Sequence, residues 1–420
     1  MVPKEEIRGR VIVTFGRYLY SYRTVLPLAF VLGAVQVLTN AQNKSAPRAV
    51  SSNGASGAAP MYKVDPWWPK PLPTVKDNQG ILHDWVTGVP GAVCVDSHDH
   101  IIAGNRGYQK NGLTDSDGTA SIPAPPVIEY DQQGNVVNSW GDVTLNADGT
   151  TKVLPQSFHG CFVDYDDNIW FSGIGDGIVQ KWSHDGKKLL LQIGTKGICD
   201  GPPTLSPTAV HPTCGNPGDN QSHTLLNQPA DVAVDAAPDP VTGERGSVYI
   251  ADGYGNHRVV VFDSRGKYLR QWGSDGDGPG QFAHDMGGGH PHCVLLGKDG
   301  LVYACDRGQH RINVTDKLGN LKRTININPP NESPDARWRA CDIAFSSDPK
   351  ETFIFVADVG DNRVWIVDRE RGAIVSGFGG SGHMAGEFNL PHLIAVDSKG
   401  NVYVAESGGG RRIQRFVKMS

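Results

Sequence analysis

Residues 248–273 read VYIADGYGNHRVVVFDSRGKYLRQWG. Two runs rich in Val, Ile and Tyr flank a short polar loop, and a third run follows an Asp-Ser-Arg-Gly turn. Short apolar strands punctuated by Gly and Asp turns are hairpin signals. The pattern recurs in both directions: VCVDSHDHIIAG at 93–104, CFVDYDDNIWFSG at 161–173, VLLGKDGLVYACD at 294–306, RVWIVDRERGAIVSGFG at 363–379 and LIAVDSKGNVYVAE at 393–406. Second strands of successive units begin near Ile101, Ile169, Val248, Val302, Phe353 and Val402. Six units of about 60 residues, each with four strands, predict an all-β, six-bladed β-propeller over 61–418. The last unit ends at Phe416 with three strands, so a strand from 61–85 is expected to close the ring. Insertions near 110–125 and 195–225 lengthen the early blades and are expected on the binding face.

Composition agrees with a turn-rich fold. Glycine is 52 of 420 residues and proline 28. There are 39 basic and 44 acidic residues, and a net charge of −5 gives no sign of a nucleic-acid partner. The low mean hydropathy excludes a polytopic membrane protein.

Ahead of the repeats, Lys4, Arg8, Arg10, Arg17 and Arg23 precede an apolar run from Val25 to Leu38. Thr39-Asn40-Ala41 follows, with small residues at a cleavage spacing. At about 14 residues the run is short of the ~20 that span a bilayer. Residues 1–41 are therefore expected to be a signal peptide, and the product secreted or periplasmic, with no membrane attachment after cleavage. Losing them takes the net charge to −8. Residues 42–60 are mostly Ser, Ala, Gly, Asn and Pro, which predicts a flexible linker. All seven cysteines lie beyond it, and an odd number leaves at least one unpaired. Cys199 and Cys214 bracket a Pro-rich insertion and are the expected disulfide. Cys94, Cys161, Cys293, Cys305 and Cys341 sit in strand-like runs and read as buried apolar residues.

Aligning the first strand of each unit puts Gly91, His159, Ala230, His292, Cys341 and His392 in one register. Histidine occupies units two, four and six, and small residues the others, leaving room for the rings. First strands line a propeller's channel, and alternate blades of six stand about 120° apart. Three imidazoles would then converge on the axis, the ligand set of a zinc or another divalent transition metal with an open position. His290 is two residues from His292 and is not counted as a ligand. Cys341 reads as filler rather than a fourth ligand.

A second pattern repeats in ADGYGNHRVVVF, CDRGQHRINV, ADVGDNRVWIV and AESGGGRRIQRF. An acid (Asp252, Asp306, Asp358, Glu406) is followed by a short loop and an arginine (Arg258, Arg311, Arg363, Arg412). Its recurrence marks it as structural, tying strands or blades. This loop resembles the NHL repeat. DGYGNHRVVVFDSRGKYLRQWG, followed by GPGQF and HPHCV, resembles peptidyl-α-hydroxyglycine α-amidating lyase, the lyase domain of peptidylglycine α-amidating monooxygenase. The resemblance implies a six-bladed propeller with zinc on the histidines of FHG, HPH and LPH, which are His159, His292 and His392. It further implies a base or proton-transfer tyrosine near zinc at Tyr254, whose role a raised acidity would serve, and an arginine at Arg106 that meets substrate carboxylate or carbonyl oxygens. The family's calcium-binding Asp corresponds to Leu393, which argues against calcium, although Val93 and Cys161 match the other calcium ligand positions. The cysteine after the family's tyrosine is Gly255, so that disulfide is absent.

The expected activity is an exported zinc lyase cleaving a carbinolamine C–N bond to an amide and glyoxylate. Its substrate would be a small or peptide-derived molecule in the central channel. The alternatives are a non-enzymatic NHL scaffold with a protein partner on its loop face, or another metal-dependent propeller hydrolase. A G-x-S-x-G elbow is absent, and GDGPGQF at 276–282 joins two blades rather than a strand to a helix. Trp67-Trp68-Pro69 is expected to pack the closing strand.

Overall fold

The computed structural model describes residues 58–114, 117–118, 120–201, 214, 218–283, 290–330 and 338–419. The signal peptide expected over 1–41, and the linker up to residue 57, lie outside them. Among the described residues every regular element of two or more residues is a β-strand.

The chain begins with β1 (Tyr62–Asp65), β2 (Thr74–Lys76) and β3 (Leu82–Val86). Blade 1 is β4 (Pro90–Val95), β5 (Ile101–Asn105), then, after the short β6 (Ile122–Pro123), β7 (Val127–Tyr130) and β8 (Val136–Trp140). Blade 2 is β9 (Phe158–Val163), β10 (Ile169–Gly173), β11 (Ile178–Trp182) and β12 (Leu189–Ile193). Blade 3 is β13 (Pro229–Val234), β14 (Val248–Asp252), β15 (Arg258–Phe262) and β16 (Tyr268–Trp272). Blade 4 is β17 (Val294–Leu296), β18 (Val302–Asp306), β19 (Arg311–Thr315) and β20 (Leu321–Asn326). Blade 5 is β21 (Asp342–Phe345), β22 (Phe353–Asp358), β23 (Arg363–Asp368) and β24 (Ala373–Gly379). Blade 6 is β25 (Pro391–Val396), β26 (Val402–Glu406) and β27 (Ile413–Lys418), completed by β1, which pairs antiparallel with β27. A seventh sheet of β2, β3 and β6, which the repeat did not reveal, joins the segment before blade 1 to its insertion.

Side-chain alternation holds the ring together. In β14, Val248 and Ile250 point into the core shared with blade 2, while Tyr249 and Ala251 point into the core shared with blade 4. Six such cores lie one between each pair of neighbouring blades. Inner strands are therefore apolar on both faces, although a strand with one solvated face would alternate. Closure adds Trp68, buried between Tyr130 of blade 1 and Tyr403 of blade 6 at 5.6 and 4.9 Å.

The repeated acid–arginine pair is visible in three blades. Arg258 Nε lies 2.9 Å from Asp252, Arg311 Nε 2.8 Å from Asp306, and Arg412 Nε 2.7 Å from Glu406. Each arginine also donates to carbonyls of the loop entering its blade: Ser222 and Leu225, then Gly278 and Gln281, then Met384 and Glu387. The pair thus fastens a connecting loop to a sheet edge. Blade 5 departs from the pattern. There Asp358 accepts from the Trp365 indole at 2.7 Å and pairs with Arg339 at 3.5 Å, while Arg363 stacks over Trp365.

Cysteine pairing is richer than expected. Cys199–Cys214 forms, and so do Cys94–Cys161 and Cys293–Cys305. Cys94 and Cys161 stand on the first strands of adjacent blades, and Cys293 and Cys305 face each other across one hairpin. Four of the five cysteines read as apolar filler are therefore bonded, and Cys341 alone stays a buried thiol.

Candidate metal centre

His159 lies in β9, His392 in β25, and His292 two residues before β17. Their ring centroids form a nearly equilateral triangle with sides of 4.6, 4.7 and 4.8 Å. All three are buried, and their ligand nitrogens lie within 4.8 Å of one another. The rings are oriented by backbone. His159 Nδ1 donates to Ala230 O at 2.8 Å, and His292 Nδ1 to Cys341 O at 2.5 Å. Carbonyl acceptance places the proton on Nδ1 and leaves Nε2 its lone pair. So the small residues of blades 3 and 5 supply acceptors as well as space. In blade 1 the space serves another group: a Cβ on Gly91 would lie 2.1 Å from Phe158 O and 2.8 Å from Arg106 Nε.

His392 differs, its Nδ1 being buried without a hydrogen-bond partner. Burial, reinforced by the nearby guanidinium groups, holds all three imidazoles well below the ordinary histidine range. Three neutral, buried imidazoles with lone pairs free to converge form a donor set that fits a divalent transition metal. Cys341 does not extend it. Its thiol donates to Trp338 O at 3.1 Å, and burial pushes its pKa up to about 12.

Tyr254 follows β14, and its hydroxyl sits 2.9 Å from His159 Nε2 and 3.0 Å from His292 Nε2. Burial raises this phenol, and Arg307 and Arg106 offset the rise only in part. In the protein's own field the phenol is therefore a weaker acid than usual, because desolvating a phenolate costs more than the two cations return. Arg106 follows β5. Its Nε and Nη2 donate to Phe158 O at 2.9 and 2.5 Å. Burial lowers its pKa, and among the described residues no carboxylate pairs with it.

Arg307 belongs to the same constellation and was not singled out from the sequence. It follows β18 as Arg106 follows β5, so the two share a register in blades 4 and 1, opposite each other in the ring. Its guanidinium stacks 5.1 Å over Tyr254 and 5.0 Å over Trp338, and Nη1 lies 3.4 Å from the Tyr254 hydroxyl. Aligning second-strand ends, as first strands were aligned, would have found it. Blade 3 carries Gly253 there, where a Cβ would lie 2.0 Å from Pro291 O. His290 accepts from Gly308 N at 3.2 Å and stays outside the trio.

Beyond the trio the channel holds a cavity of about 280 Å³. Leu393 lines it and packs in the core between blades 6 and 1. Carboxylates do face this cavity, one register step past the trio position, as Asp231 of blade 3 and Asp342 of blade 5. Burial pushes the Asp342 carboxyl up to about 7, and burial together with Asp342 raises Asp231 well above the carboxylate range.

Known proteins resemble this chain in two ways. NHL repeat-containing protein 3 of Homo sapiens is 25% identical over 370 residues, covering 86% of this chain and 85% of that protein. Peptidyl-glycine alpha-amidating monooxygenase of Mus musculus is 33% identical over 253 residues, 55% of this chain. That match spans only 21% of the mouse protein's length. A probable peptidyl-alpha-hydroxyglycine alpha-amidating lyase of Caenorhabditis elegans is 26% identical over 157 residues, 37% of this chain and 35% of that protein. No family model matches. The chain is an NHL-like propeller with relatives among amidating-lyase proteins.

Proposed function

We propose that this propeller is an exported metal-dependent lyase that cleaves the C–N bond of an α-hydroxyglycine-type carbinolamine, releasing an amide and glyoxylate. One observation carries the reading: three buried imidazoles from alternate blades converge, and the Tyr254 hydroxyl lies within hydrogen-bond distance of two of them, His159 and His292. Arg307 Nη1 lies 3.4 Å from that hydroxyl, and Arg106, from the opposite blade, acts on it electrostatically. His159, His292 and His392 would hold zinc, which when bound supplies Lewis-acid polarisation of an oxygen substituent.

The residues of the chain cover the remaining needs. Arg106, a buried cation with no carboxylate partner among the described residues, is suited to an anionic substrate group. Arg307 fixes the Tyr254 ring from above. Tyr254, protonated at neutral pH, delivers its proton to the departing amide nitrogen as the C–N electron pair moves there. The carbinol proton then restores the phenol as the carbinol oxygen becomes the aldehyde oxygen of glyoxylate. Water is neither consumed nor released, so the balance is that of a lyase.

The test is metal content and glyoxylate release from a peptidyl-α-hydroxyglycine, measured on the full chain and on a His159→Ala/His292→Ala/His392→Ala variant. About one trio-dependent zinc per chain, with activity lost in the folded variant, is expected. A second reading has its own support. NHL repeat-containing protein 3 matches over most of both chains, which favours a scaffold that binds a protein partner on its loop face. On that reading the triple variant keeps partner binding, and no glyoxylate appears with either protein.

A further inference from the structure

Blade 1 and blade 2 meet again at the other end of the propeller, where turns join first to second and third to fourth strands. Asp96 follows β4, Glu129 lies in β7, and His184 sits in the turn between β11 and β12. Their ligand atoms lie within 4.8 Å of one another. His184 Nε2 is 3.4 Å from Asp96 Oδ2 and 3.7 Å from Glu129 Oε1. Asp96 is 6% exposed, and its Oδ2 is buried without a hydrogen-bond partner. Its other oxygen accepts from the backbone N–H groups of His98 and His100 at 2.8 and 2.7 Å, which aims Oδ2 into the cluster.

The histidine tautomer sharpens the problem. His184 Nδ1 lies 2.9 Å from Asp167 O, and a carbonyl only accepts, so Nδ1 carries hydrogen. His184 Nε2 then faces two carboxylate oxygens, an arrangement satisfied by a cation among the three or by a second proton on the ring, whose pKa, against the pull of burial, the Asp167 carbonyl, Glu129 and Asp96 raise. The separations suit a shared ion. Ligand bonds of about 2.1 Å in a tetrahedral shell put neighbouring donors about 3.4 Å apart. An outer layer is present too. Asp167 O holds His184, and His100 Nδ1 lies 2.6 Å from Glu129 Oε1.

We propose that Asp96, Glu129 and His184 form a second metal site, for a divalent transition-metal ion, which clamps blade 1 to blade 2. Two carboxylate oxygens and one imidazole suit zinc or manganese. The clamp crosses the same blade boundary as Cys94–Cys161, from the face opposite the histidine trio.

The test uses the full chain, stripped with chelator and titrated with Zn²⁺ and separately with Mn²⁺. His184→Gln is the first variant, because that side chain is 31% exposed and its loss perturbs folding least. Glu129→Gln is the second. Each folded variant is expected to bind one ion fewer per chain than the parent and to lose part of the metal-induced rise in Tm. The trio variant should keep this ion. An equal ion count in the parent and His184→Gln, with both folded, overturns the proposal and leaves a proton shared between His184 and the two carboxylates as the occupant.

Discussion

Tyr254 has one hydroxyl proton and two imidazole nitrogens within hydrogen-bond distance, both carrying lone pairs because their Nδ1 protons are committed to carbonyls. It can donate to only one, so the phenol oxygen and the other Nε2 face each other with no hydrogen between them. An electrophile near these nitrogens relieves that conflict and frees the phenol proton for transfer. Tyr254→Phe keeps the ring beneath Arg307 and removes only the hydroxyl. Glyoxylate release is expected to fall about 10²–10⁴-fold, the usual worth of a positioned acid–base group, with Tm and metal content nearly unchanged. A drop in Tm to match would mark the tyrosine as packing. The trio was legible because one register carried the rare residue in alternate units. Arg307 is legible only where second-strand ends are aligned, at the register it shares with Arg106.

Strand by strand, the repeat explains most of what holds each blade. All six second strands begin at the residues the pattern indicates, from Ile101 to Val402. A shared acid and arginine still produced two outcomes. Arg258 is fully buried, pairs with Asp252 and donates to loop carbonyls, so Arg258→Ala leaves a buried carboxylate uncompensated. That loss is expected to cost about 3–5 kcal/mol in urea unfolding. Arg363→Ala, at the same register, is expected to cost about 1 kcal/mol or less, since only a stacking contact is lost. The difference comes from Trp365, whose indole takes the carboxylate where Val260, Asn313 and Gln414 stand in the other blades. Equal costs would show that the register, rather than the contacts, sets the arginine's worth.

At the level of the whole ring, the seam and the channel carry the expectations. Trp68→Ala removes the aromatic wedge between the first and last blades and is expected to cost about 3–5 kcal/mol, read as a lower Tm. In the channel, Asp342 titrates near 7 when folded against 3.8 as an isolated group. The folded state holds the extra proton between those values, so this contribution is complete below about pH 4 and is lost as pH rises through about 7. Raising the pH from 5 to 8 should therefore lower the Tm of the parent more than that of Asp342→Asn. Equal slopes would show that the Asp342 proton is not linked to folding. Neither Asp231 nor Asp342 stood out in the sequence, because each sits in a single blade and only the closed channel brings them near each other. The Cys94–Cys161 bond was hidden for the same reason: residues 67 apart in sequence become neighbours only when blades stack side by side.

The pairing of β1 with β27 also has a meaning in time. A ribosome releases this chain from its first residue to its last, and blades 1 to 5 each have all their own strands once their own stretch has emerged. The sheet of blade 6 does not, because its outer strand is made first and its neighbour in that sheet last. Tyr62 must therefore wait for Lys418, and the ring stays open until β27 has been made.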